Sequence, residues 1–143
     1  MIKIATLVTS LLLTSAAMAQ LSCSSAITGA GCGATLNINF TPQGGGGNQR
    51  IDLTATGLLP NVHGMMVWGY NPATIALPSG CTLFVEFAWG HTILTNAQGE
   101  FNWSRTWPAS VTGQYFIQIG SFTFDANNNF VIAATDARLA QCL

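Results

Sequence analysis

Four tryptophans are the side chains in this sequence with the clearest chemical use. Trp68, Trp89, Trp103 and Trp107 each fall on the apolar face of an alternating segment. An indole in that position can bury a large area in a core, or lie open as a flat platform for the apolar face of a sugar ring. Trp103 and Trp107 are four residues apart, so on a strand they share a face, and Trp89 is expected across a turn from them. Burial in a core is the simpler role. Sugar stacking is the alternative, and Trp89, Trp103 and Trp107 are its candidate binding residues.

Catalytic and metal chemistry find less to work with. Acyl transfer by serine needs a histidine base and an orienting carboxylate. Only His63 and His91 are available, both beside glycine, and no Gly-x-Ser-x-Gly elbow occurs. Glycoside hydrolysis needs two carboxylates across a cleft. Glu86 and Glu100 are expected on neighbouring strands, but at outward positions where a glutamate simply meets solvent. His63, Met65, Met66 and His91 offer soft ligands for copper, yet the adjacent methionines point to opposite faces of a strand. Asp125, Asn127, Asn129 and Asp136 match oxygen positions of a calcium loop, but Phe130 stands where its sharp turn needs glycine. The reading is therefore a non-enzymatic chain with no catalytic residue, no metal ligand and no cofactor.

The compartment and the charge narrow the partners. Lys3, the mostly apolar run at residues 4–13 and Ala17-Met18-Ala19 have the three parts of a cleaved export signal, residues 1–19. Residues 20–143 then form one domain of 124 residues, secreted or otherwise extracytoplasmic, with no further run long enough to span a membrane. Without Lys3 the charges are Arg50, Arg105 and Arg138 against five carboxylates, a net charge of −2. Three scattered arginines cannot build a phosphate-binding surface, so nucleic acid is excluded. The partner expected is a protein or a polysaccharide at the cell exterior.

Cys23, Cys32, Cys81 and Cys142 are even in number and lack the tight pairs of a zinc site, so they read as two disulfides. Three pairings are possible. The favoured one joins Cys23 to Cys32 as a local loop and Cys81 to Cys142 as a tie from the C-terminus to a central strand.

The elements that must position these residues are strands. Residues 35–40 and 50–56 alternate strictly and flank a glycine run, as a hairpin would. Residues 65–70 and 115–124 are apolar on both faces, as central strands are. Residues 81–89 are expected as one strand with Cys81, Leu83, Val85, Phe87 and Trp89 on one face. A hairpin turn at residues 96–99 leads into Phe101, Trp103 and Trp107, and residues 130–135 form a last strand. Seven or eight strands with frequent turns and no sustained helical period predict an all-β, antiparallel β-sandwich, immunoglobulin-like or jelly-roll-like, stapled by disulfides. A small closed barrel is the alternative.

Several segments together resemble a small, uncharacterised β-sandwich domain of exported bacterial proteins. They are Gly57-Leu58, residues 65–70, Pro78-Ser79-Gly80-Cys81, Thr95-Asn96-Ala97-Gln98-Gly99-Glu100-Phe101, Trp107-Pro108 and Gly113-Gln114-Tyr115-Phe116-Ile117-Gln118. The resemblance implies a sandwich fold and an extracytoplasmic location, and it carries no activity or site residue with it. The Trp103–Trp107 segment and the terminal Cys142 depart from it. The function expected is a secreted structural, adhesive or interaction module, with a carbohydrate-binding module as the alternative and a small hydrolase as a third reading.

Overall fold

A computed structural model describes residues 22–143, so the predicted export signal lies outside the described residues. These hold eleven strands: β1 (Cys23–Gly29), β2 (Thr35–Gln43), β3 (Asn48–Thr56), β4 (His63–Gly69), β5 (Pro72–Ala76), β6 (Thr82–Val85), β7 (Trp89–Leu94), β8 (Phe101–Trp107), β9 (Gly113–Phe124), β10 (Phe130–Ala134) and β11 (Ala137–Cys142). All strand pairs are antiparallel. A large sheet runs β1-β11-β9-β4-β7, with β10 pairing the second half of β9. A small sheet runs β2-β3-β8, and β5-β6 forms a separate hairpin. No helix among the described residues is long and apolar enough to cross a membrane.

Alternation along the strands decides what lies between the two main sheets. Leu36, Ile38, Ile51 and Leu53 from the small sheet share one core with Met66, Trp68, Ile93, Ile117 and Ile119 from the large one. Strands β4 and β9 are apolar on both faces because both faces are covered. Val67 and Phe116 join Val85 and Ala137 in a second, smaller cluster, which forms where the β5-β6 hairpin lies over the large sheet. Gln118 fastens that hairpin down. Its Oε1 accepts from the Phe84 N–H at 2.7 Å, and its Nε2 donates to the carbonyls of Thr82 and Thr135 at 3.1 and 2.9 Å. A buried amide satisfied this fully costs the fold little.

Three expectations change. The sequence predicts seven or eight strands and the structure has eleven, because β1, β5 and β11 are short or lack large alternating apolar residues. The expected strand over residues 81–89 is two elements facing different cores. Leu83 and Val85 belong to the outer cluster and Trp89 to the inner core. Between them the chain crosses the end of β4: Glu86 N–H donates to the Asn71 carbonyl and Ala88 N–H to the Trp68 carbonyl, at 3.1 and 2.9 Å. The Glu86 carbonyl then sits where Gly69 would carry a Cβ, so only glycine fits there.

The turn at residues 96–99 is as tight as expected but joins strands that do not pair. Asn96 Oδ1 accepts from the Gln98 and Glu100 amides at 3.0 and 2.8 Å, and Gly99 takes the left-handed φ of 72°. Strand β7 pairs with β4 and β8 with β3, so the turn is a corner between sheets. Glu86 and Glu100 are consequently not on neighbouring strands. Each instead accepts a hydrogen bond from a nearby asparagine amide, Asn71 at 2.6 Å and Asn96 at 3.0 Å.

The disulfide pairing is also corrected. Cys23 bonds to Cys142 and Cys32 to Cys81. Strand β1 runs extended from Cys23 and carries the chain away at about 3.3 Å per residue, which removes Cys32 from reach. The same strand zips against β11 with Cys23 opposite Cys142, their Cα atoms 4.1 Å apart. Cys32, held to Ala134 by a backbone bridge, meets Cys81 at the foot of β6. The bridges close 119 and 49 residues, which in the chain-entropy model stabilises by about 5 and about 4 kcal/mol. Two such bonds belong to an oxidising environment.

One carboxylate closes the side of the sandwich where β2 meets β11. Asp136 Oδ1 accepts from the Leu36 N–H of β2 at 2.7 Å, and its Oδ2 lies 2.6 Å from Arg138 Nε in an ion contact. Both groups are largely buried. Asp136→Ala would leave the Leu36 amide without its acceptor and the guanidinium without its counter-charge, a loss of about 3–5 kcal/mol. Urea unfolding of the oxidised protein is expected to show it, while Asp52→Ala at the exposed Arg50 pair changes little. Peptide mapping without reductant is expected to recover a Cys23–Cys142 fragment and a Cys32–Cys81 fragment; a Cys23–Cys32 fragment would contradict the fold.

Candidate functional site

The site lies at the opposite margin, where β7 ends the large sheet and β8 ends the small one. These two strands do not pair, and a cleft of about 470 Å³ opens between them. Each wall follows from strand alternation. On β8, Trp103, Arg105 and Trp107 sit two residues apart and face inward. On the large sheet, Trp68 of β4 is directly opposite Trp89 of β7 in the ladder, and His91 follows Trp89 on the same face. Tyr70, just past β4, and Tyr115 of β9 close one end with Pro108 and Val111.

The rings form a connected ring of contacts. Trp68 and Trp89 are stacked, with centroids 6.3 Å apart and planes 7° from parallel. Trp89 meets Tyr70 at 5.2 Å, Tyr70 meets Tyr115 at 5.8 Å, and Tyr115 meets Trp107 at 5.1 Å. Trp107 returns to Trp68 at 6.0 Å, and Trp103 adds an edge contact to Trp68 at 5.7 Å. Such tilted and edge arrangements each contribute about 0.5–1.5 kcal/mol beyond area burial. Trp68 is the hub, only 3% exposed, and its Nε1–H has no hydrogen-bond partner among the described residues. Trp107 is buried as well, Trp89 and Trp103 are half-buried, and Tyr70 is 59% exposed.

The three tryptophans proposed from sequence are thus brought together, although across the two sheets and not along a hairpin. Core and surface are not alternatives for them: one end of each indole set is packed on Trp68 while the cleft borders the other. Sequence reasoning missed Tyr70, Tyr115 and Arg105. The alternation Trp103-x-Arg105-x-Trp107 was a usable signal for Arg105, whereas the two tyrosines sit near strand ends whose approach depends on the whole sheet.

Besides its tyrosine and tryptophan residues, the polar residues lining the cleft are Arg105, His91 and Thr106, and no carboxylate lines it. Every carboxylate of the described residues is occupied elsewhere. Asp52 pairs with Arg50 at 2.9 Å, and hydrogen bonds from Ser104 and Arg50 hold its carboxyl below the usual range. Asp125, considered above as a calcium ligand, caps its own turn. The Asn129 side chain and backbone N–H, together with the Asn127 amide, lower its carboxyl and use the oxygens a cation would need. Asp136 is buried against Arg138 and takes no part in that turn. Of the copper candidates, Met66 is core and Met65 faces the other way, with only His91 at the cleft. No cluster of three or more histidine, cysteine or acidic side chains suited to a metal occurs among the described residues.

A second, smaller concavity of about 170 Å³ lies on the outer face of the large sheet, lined by apolar groups such as Met65, Leu83 and Ile132. Phe122 and Phe124, both exposed, pack beside it against Phe130. Comparison with protein-family models, with curated proteins and with solved structures gives no match for this chain.

Proposed function

We propose that this chain is a secreted, non-enzymatic interaction module and that it binds carbohydrate in the aromatic cleft. One observation carries the reading: indole and phenol rings from both sheets line a single concavity of about 470 Å³, within the roughly 300–1,000 Å³ range of small-ligand sites. A pyranose presents an apolar face that lies well on such rings, and hydroxyls that need a few directed polar partners. Arg105, His91 and the hydroxyls of Tyr70 and Tyr115 supply them. The absence of a carboxylate from the lining favours binding over glycoside hydrolysis, which requires two. The disulfides and the signal-like N-terminus support a place at the cell exterior.

A structural or adhesive role towards a protein is the second reading. The exposed Phe122 and Phe124 on the outer face favour it, since aromatic side chains are enriched at protein interfaces.

Retention of the oxidised protein on a panel of insoluble polysaccharides, followed by tryptophan fluorescence, separates the two. Saturable binding with a blue-shifted emission is expected as sugar covers the half-buried indoles. Trp89→Ala, which removes an edge-strand platform, is expected to weaken binding at least about tenfold, or about 1.4 kcal/mol. Its thermal melt checks that the variant is folded. Failure of the folded wild type to bind any sugar polymer would overturn the carbohydrate reading and turn the search to protein partners of the phenylalanine face.

A further inference from the structure

The charges are few, and their arrangement is selective. The described residues contain three arginines and no lysine. Arg50 is spent on Asp52 and Ser104, on the outside of the small sheet, and Arg138 on Asp136 at the closed side. Arg105 alone has neither a hydrogen bond nor an ion pair among the described residues; it is exposed and lines the cleft, two residues from Trp103 on one side and Trp107 on the other along β8. All five carboxylates are engaged elsewhere, by Arg50, Arg138, Asn71, Asn96 and Asn129. Among the described residues Arg105 is thus the one arginine without a partner, and it lines the aromatic site.

Resting on the carbohydrate reading, we infer that the cleft selects an acidic sugar, a pyranose whose ring lies on an indole and whose carboxylate is met by Arg105. A guanidinium presents a planar fork of donors that fits a carboxylate in two parallel hydrogen bonds. A cationic ligand, which aromatic rings alone would also hold, is disfavoured by the same arginine. The fork and the rings sit on strand β8, so the spacing between ring platform and anion partner is set by backbone and not by a loop.

Fluorescence titrations with trisaccharides of glucuronic, galacturonic and mannuronic acid, each beside its neutral carboxyl-reduced counterpart, test this. At least one acid is expected to bind roughly tenfold more tightly than its neutral form. That preference is expected to fall as salt rises and to vanish in Arg105→Gln, but to survive Arg50→Gln on the opposite face of the sheet. Equal binding of acidic and neutral forms, or a preference that persists in Arg105→Gln, would overturn the inference while leaving the carbohydrate reading in place. Binding of none of the six would count against both, and the insoluble-polymer panel decides whether the broader reading falls with it.

Discussion

The buried carboxylate of Asp136 is the constraint on which the sandwich depends. Strand β2 is an edge of the small sheet, so its outward Leu36 N–H has no strand to pair with, and burying that donor unmade would cost about 1–3 kcal/mol. Asp136, in the link between β10 and β11, accepts it at 2.7 Å and thereby joins the two sheets. A carboxylate so enclosed needs a counter-charge, which Arg138 provides from the next strand. The Cys32 bridge to Ala134 and the Cys23–Cys142 disulfide lie on the same side. One margin is therefore clamped by a charge pair, a backbone bridge and a covalent bond. The margin at β7 and β8 is joined by the corner at residues 95–100 and the β3–β4 link that hydrogen-bonds to it, with no disulfide or charge pair among the described residues, and that is where the cleft forms.

What fills an unclamped margin decides whether it is a site or a defect. Aliphatic side chains there would collapse into core or stay exposed. Indoles and phenols have a rigid shape with few rotatable bonds, so they can pack on one edge and leave another free. Trp68 anchors them by stacking with Trp89, taking an edge contact from Trp103 and a tilted one from Trp107. Its Nε1–H is buried and has no hydrogen-bond partner among the described residues.

Much of the fold was legible because alternation is a local property. Strict apolar–polar alternation gave β2 and β3 and their hairpin, and two-faced apolarity marked β4 and β9 as central strands. What local pattern could not carry was partner choice. Residues 81–89 alternate as one strand would, yet the chain leaves the outer face of the large sheet at Val85 and re-enters as its edge at Trp89. Two residues at the crossing, Glu86 and Ala88, hydrogen-bond by backbone to Asn71 and Trp68, 15 and 20 positions away, which no short window of sequence reveals. The disulfides failed for the same reason, since Cys23 finds Cys142 only once β1 has paired with β11.

The site was legible in part, and the division follows the same physics. Trp103 and Trp107 share a strand, so their common face could be read directly. Trp89 was placed correctly beside them for a mistaken reason, because the corner at residues 96–99 brings β7 and β8 to facing margins without pairing them. Arg105 carried a signal that only charge bookkeeping over the whole fold makes visible. A guanidinium on an alternating strand looks like an ordinary surface charge until every carboxylate has been traced to another partner. Among the described residues the one arginine without a partner lines the cleft, and no carboxylate does. Ring walls on strands give the cleft a fixed shape, and shape together with charge is what the proposed site has and the exposed apolar face on the other side of the sheet lacks.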